Sequence, residues 1–171
     1  MTGASAANTI SFVPATGVTP VISGSVAGAT TGLIVLNGAD NLRFDGYNGS
    51  TSARNITIRN TATTGAAVLL QADATSNALR YLNLESATIN GSSGTAFFST
   101  GTTSSNDDNT LSNCDIHGAG AAVPAYAVFT SGAASTTATN SGNTVQSCNV
   151  YDFTAGGVYM SDTGAGGRAG R

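Results

Sequence analysis

The chain has 171 residues, enough for one domain with a contiguous core. Charged residues make up only 9%, lysine is absent, and six scattered arginines against nine acids form no basic patch for nucleic acid or an anionic membrane. Gly, Ala, Ser, Thr and Asn dominate, yet 40% hydrophobic content with recurring β-branched residues argues against low-complexity disorder.

The opening MTGASAANTISF has neither a basic stretch nor an apolar run, so no signal peptide is visible. No segment approaches the length of a membrane span, and no membrane insertion is expected. Residues 1–32 are expected to form an irregular first coil or N-terminal cap, 33–162 the repeating coils, and 163–171 a truncated tail. All belong to one domain, 1–171, cut from a longer protein whose flanking domains are expected partners.

From residue 33 the chain alternates two kinds of short apolar segment. The first kind is LIVLN (33–37), AVLLQ (67–71), AFFST (96–100), AVFTS (127–131) and GVYMS (157–161). Aligning Ile34, Val68, Phe97, Val128 and Val158 gives steps of 34, 29, 31 and 30 residues. The second kind is ADNLRFDG (39–46), ARNITIRN (53–60), LESATING (84–91), LSNCDIHG (111–118) and VQSCNVYD (145–152). Gly, Ser, Thr and Asn fill the gaps as turns would, and nothing has a helical period. Short strands returning about every 30 residues without helices describe an all-β, single-stranded parallel β-helix (solenoid) of about five coils. At the roughly 4.8 Å spacing of neighbouring strands, five coils make a rod about 25 Å long.

This register predicts inward pairs Leu42/Phe44, Ile56/Ile58, Ala87/Ile89, Cys114/Ile116 and Cys148/Val150. Asn41, Asn55, Ser86, Asn113 and Ser147 fall at a corner, where their side chains can bond backbone groups of neighbouring coils. In the first kind of segment, Val35, Leu69, Phe98, Phe129 and Tyr159 are expected to form an outward stripe, with Phe98, Phe129 and Tyr159 as ligand contacts; the opposite parity remains open.

NCDI…AYAVFTS and SCNVYDFTAGGVYMS resemble the "N-C-x-I-x(n)-G-I-x-h" repeat of right-handed β-helix proteins with the pectin-lyase-like fold. NTISFVPATGVTPVISG…LIVLNGADNLRFDG followed by ARNITIRN is similar to β-helix regions of large secreted bacterial surface proteins. The resemblance covers roughly residues 8–162 and is specific for fold. It implies a right-handed coil and a secreted or cell-surface location.

NDDNTLSNCDIHGAG (106–120) holds two adjacent aspartates, a cysteine and the only histidine. Asp107-Asp108 and His117 superficially resemble the paired aspartates and glycine-flanked histidine of polygalacturonases. In that family the histidine follows about one coil later, whereas here LSNCDI separates the two within one coil. A pectate-lyase-like mechanism would need several carboxylates around calcium, and an Arg or Lys base. Arg59 and Arg80 have no such cluster beside them, so no catalytic residue, metal ligand or cofactor is assigned. Cys114 and Cys148 share a repeat position and read as stacked inward thiols, with a disulfide as the alternative. Asp115, His117, Asn149 and Tyr151 are expected to form one exposed polar patch across two coils, more a contact surface than an active site. The expected function is a non-catalytic, rigid spacer or adhesin-like module that contacts polysaccharide. The alternative is a polysaccharide lyase or glycoside hydrolase whose catalytic residues lie partly outside this segment.

Overall fold

The computed structural model describes residues 4–49, 53–132 and 138–161. Three parallel sheets of five strands each wind along one axis as a parallel β-solenoid. The first sheet stacks β1 (Ile10–Phe12), β4 (Leu42–Asp45), β7 (Ala78–Arg80), β10 (Thr110–Ser112) and β13 (Thr144–Gln146). The second stacks β2 (Val21–Gly24), β5 (Ile56–Asn60), β8 (Leu82–Ser86), β11 (Asp115–Gly118) and β14 (Asn149–Val150). The third stacks β3 (Gly32–Asn37), β6 (Ala66–Gln71), β9 (Gly94–Phe98), β12 (Tyr126–Thr130) and β15 (Gly156–Met160). Each coil therefore contributes three strands in succession.

Three expectations about register change. Residues 10–24, expected as an irregular coil or cap, supply β1 and β2 in regular pairing with the next coil. Phe12 accordingly stacks on Phe44 with ring centroids 4.5 Å apart. ADNLRFDG does not stack beneath ARNITIRN, because it forms β4 in the first sheet and leads through a corner into β5 of the same coil. The segment matching LSNCDIHG is LRYLNLES (79–86) rather than LESATING, since Leu111 pairs with Leu79 and Ile116 with Leu84. Ile89, expected inside, is 65% exposed. The expected tail, 163–171, lies outside the described residues.

The interior is a set of apolar ladders. Ile58, Leu84, Ile116 and Val150 form one, and Phe44, Leu79, Leu111 and Val145 another. Val68, Ala96 and Val128 form a third on the β6–β9–β12 wall. Like side chains stack on like at strand spacing in the first two ladders, and in the third the small Ala96 sits between two valines. Burying each Leu or Ile contributes roughly 1.5–3 kcal/mol.

Corners close through left-handed backbone and asparagine side chains. Tyr81, Asn113 and Ser147 turn the chain from the first sheet to the second with φ of 54°, 54° and 53°. In the next coil down Gly46 stands level with Tyr81, and a Cβ there would lie 1.9 Å from the Tyr81 carbonyl oxygen. Of the residues expected at one corner, Asn55, Asn113 and Ser147 share it by register, and the Asn55 side-chain amide donates to the Gly46 carbonyl there at 2.8 Å. Asn41 sits at the entry to the first sheet with Ser76 and Asp108, and Ser86 is buried in β8, its hydroxyl 3.0 Å from Thr95 Oγ1.

The asparagine ladders lie elsewhere, at the corner leading into the first sheet. Asn109 Oδ1 accepts from the backbone N–H and Nδ2 of Asn77, both at 3.0 Å. Asn109 Nδ2 donates to the Ala74 carbonyl at 2.9 Å and to Asn143 Oδ1 at 3.0 Å. Asn106 repeats the device beside it, accepting from Ala74 N–H and donating to the Ser99 carbonyl. Both are buried. The asparagines of NDDN are thus the parts that hold coils together.

Asp73 pins the loop that precedes this corner. Its carboxylate accepts from the Thr102 hydroxyl and from the backbone N–H groups of Thr102, Thr103 and Ser105. These bonds, the Thr102 hydroxyl first, lower its pKa from 3.8 to about 2. A depressed carboxylate stabilises the fold above its unfolded pKa and stops doing so as pH falls through the folded one. Hydrogen exchange should therefore show Thr102, Thr103 and Ser105 amides protected above pH 3.8 and losing protection toward pH 2. Asp73→Asn should remove that pH dependence, and an unchanged profile would count against it.

Candidate functional site

Two outer faces carry the residues expected to make contacts. On the second sheet, alternate side chains point outward in two columns: Thr57, Asn83, Asp115 and Asn149, then Arg59, Glu85, His117 and Tyr151. Asp115, His117, Asn149 and Tyr151 do come together. Asn149 Nδ2 donates to Asp115 Oδ1 at 2.7 Å. The His117 and Tyr151 rings stack with centroids 4.5 Å apart at 11°. Tyr151 is the more exposed ring, and burial first, then the Asp115, Asp152 and Glu85 carboxylates, raise its phenol above the ordinary range.

The patch extends two coils further than expected. Glu85 is only 4% exposed and accepts from both Arg59 and the Asn83 amide. That pairing satisfies the buried carboxylate and raises the Arg59 pKa, the hydrogen bond to Glu85 acting first. Asn83 Oδ1 in turn lies 2.7 Å from His117 Nε2, while His117 Nδ1 lies 2.8 Å from the Gly118 carbonyl oxygen. Arg54 Nε approaches Asp115 Oδ1 at 3.3 Å. Asn83, Glu85 and Arg54 were missed, and Arg59, weighed only as a base with no carboxylates beside it, pairs with Glu85. The signal was present: aligning LRYLNLES with LSNCDIHG puts Asn83 over Asp115 and Glu85 over His117.

Chemically, this network consumes its own functional groups. Both His117 nitrogens face oxygen atoms and one ring face lies against Tyr151. Arg80 is likewise engaged, 2.6 Å from Asp45 Oδ2. Asp108 sits at the corner before β10, while His117 lies on β11 of the next sheet. Among the described residues no group of three or more His, Cys, Asp and Glu is placed to hold a metal.

The third sheet carries the aromatic face, with one correction. Its outward column is Val35, Leu69, Phe97, Phe129 and Tyr159. Phe98, expected outside as a ligand contact, pairs with Leu70 and Thr130 and is buried in the main core. A one-residue slip exchanges the faces of neighbouring strand residues. Leu69, Phe97 and Phe129 make a second, smaller apolar cluster with Ala66, and Tyr126 packs against it. Phe97 and Phe129 meet edge-on with centroids 5.4 Å apart, and Phe129 stacks on Tyr159 at 5.3 Å. Tyr126 also stacks on Tyr159, at 4.6 Å. Beside the rings opens a cleft of about 310 Å³ lined by Gly91, Ser92, Phe129, Ser131, Tyr159 and Ser161. Phe129 and Tyr159 thus lie on one face, Phe129 buried at 5% and Tyr159 41% exposed.

The coil architecture and its repeat have a counterpart among known families. The profile described as "Right handed beta helix region" matches residues 26–167. Comparison with curated proteins and with solved structures returns no significant match. Three parallel sheets wound from single strands, together with a profile match over most of the chain, show that it belongs to the right-handed β-helix family.

Proposed function

We propose that this β-helix region is a rigid, non-catalytic module of a secreted or cell-surface protein that contacts an extended polysaccharide. The observation that carries this reading is the ring stack of Tyr126, Phe129 and Tyr159 beside a hydroxyl-lined cleft. The apolar faces of sugar rings lie well on aromatic rings, and serine hydroxyls and backbone groups match their hydroxyls. The solenoid supplies stiffness, because each coil is locked to the next along all three sheets. The engaged state of Arg59, Arg80 and His117 favours contact over catalysis.

Affinity electrophoresis in gels cast with neutral or uronic-acid polysaccharides tests this. The protein should be retarded by at least one polymer without cleaving it. Tyr159→Ala should weaken that retention about tenfold or more, as loss of an aromatic anchor does, while leaving the thermal midpoint nearly unchanged. Calcium-dependent release of unsaturated products would instead establish the lyase reading. No retention on any polymer would leave a spacer.

A further inference from the structure

We propose that Cys148 is an oxidant-reactive thiol whose oxidation by a peroxide ends in a disulfide to Cys114 on the neighbouring coil. Both thiols are free. Asp115 pairs with Asn149, so the residues before them stand in register, and the Cys114 carbonyl accepts from the Asn149 N–H at 2.9 Å. Strands at about 4.8 Å spacing fall inside the roughly 4.4–6.8 Å Cα separation that a disulfide spans.

The two sulfurs have different surroundings. Cys114 is fully buried and its thiol points to the Ser112 and Leu79 carbonyls at 3.3 and 3.4 Å. Cys148 is half-buried, and its sulfur accepts from the Cys114 backbone N–H at 3.4 Å. Interaction with the neighbouring Cys114 thiol, then that N–H, with Arg54 nearby, pull the Cys148 thiol down to about 7, against the effect of burial. The same thiol contact and burial push Cys114 up. Cys148 is therefore the nucleophile and Cys114 the thiol that resolves it, the arrangement expected of an oxidation-sensitive pair.

The chemistry balances with hydrogen peroxide as oxidant. The Cys148 thiolate attacks one peroxide oxygen, the O–O bond breaks, and the departing hydroxide takes a proton to become water. Cys114 sulfur then attacks the Cys148 sulfenic acid. The S–O bond breaks, the S–S bond forms, and the Cys114 proton leaves with hydroxide as a second water. Two thiols are oxidised by two electrons in all, and one peroxide is reduced.

The test treats the whole protein with hydrogen peroxide and measures intact mass. Wild type should lose two hydrogens without dimerising. No Lys or Arg lies between Arg80 and Arg168, so trypsin leaves both cysteines in one peptide. Cleavage after aromatic residues separates them at Tyr126 and Phe129, and the non-reduced map should show Cys114 joined to Cys148. Cys148→Ser should slow thiol loss at least tenfold. Cys114→Ser should stop at a sulfenic acid that a cyclic 1,3-diketone traps on Cys148. Unchanged mass, dimers as the only oxidised product, or a Cys148→Ser protein that oxidises at the wild-type rate would overturn the proposal. The wild-type map decides the matter even if a variant fails to fold.

Discussion

Replacing Asn109 by alanine should destabilise the protein by roughly 3 kcal/mol or more, although the substitution removes no apolar surface. Asn109 is 1% exposed and joins three coils through one amide. Its oxygen holds Asn77 on the coil below, and its nitrogen holds the Ala74 carbonyl on that same lower coil and Asn143 on the coil above. Truncation leaves the Asn77 N–H and the Ala74 carbonyl without partners in a place water does not reach. Each such orphan costs about 1–3 kcal/mol. Denaturant unfolding checks the size, and hydrogen exchange at Asn77 and Asn143 checks the location. A loss below about 1 kcal/mol would mean that the neighbouring amides close the gap themselves.

Phe98→Ala should be as damaging or more so, at roughly 3–5 kcal/mol, because it empties an aromatic side chain from the core. The ladder at that level is already filled by Leu70 on one side and Thr130 on the other, so little can collapse into the space. Tyr159→Ala, on the exposed end of the outer column, should cost under about 1 kcal/mol. Paired melts of the two variants decide the parity of the third sheet. If Phe98→Ala melted like wild type while Tyr159→Ala did not, the assigned faces would be reversed.

That parity shows where sequence reading stops. AFFST offers two adjacent phenylalanines, and either satisfies an apolar alternation. Size favours aligning Phe97 with Val128, yet the backbone pairs Ala96 with Val128, and the small residue sits between two valines in the core. The same ambiguity affects the second sheet. LNL at 82–84 and ATI at 87–89 both alternate correctly, and only pairing to Ile56 and Ile58 selects the first. From that error followed the omission of Asn83 and Glu85, although Asp115, His117, Asn149 and Tyr151 were correctly grouped. Asn77, Asn109 and Asn106 were missed for another reason. Asparagine in a Gly/Ser/Thr-rich gap looks like any turn residue until its side chain is seen bonded to the next coil.

The sequence by itself determined the architecture: short β-branched strands, turn-rich gaps and a return every 30 or so residues permit a solenoid and little else. Periodicity of that kind is local, and each coil repeats it. Tertiary structure alone decided which residue of each strand faces the core, which carboxylate meets which cation, and which asparagines bridge coils. Those outcomes depend on register between coils of unequal length, and a slip of one residue leaves the local pattern intact while exchanging inside for outside.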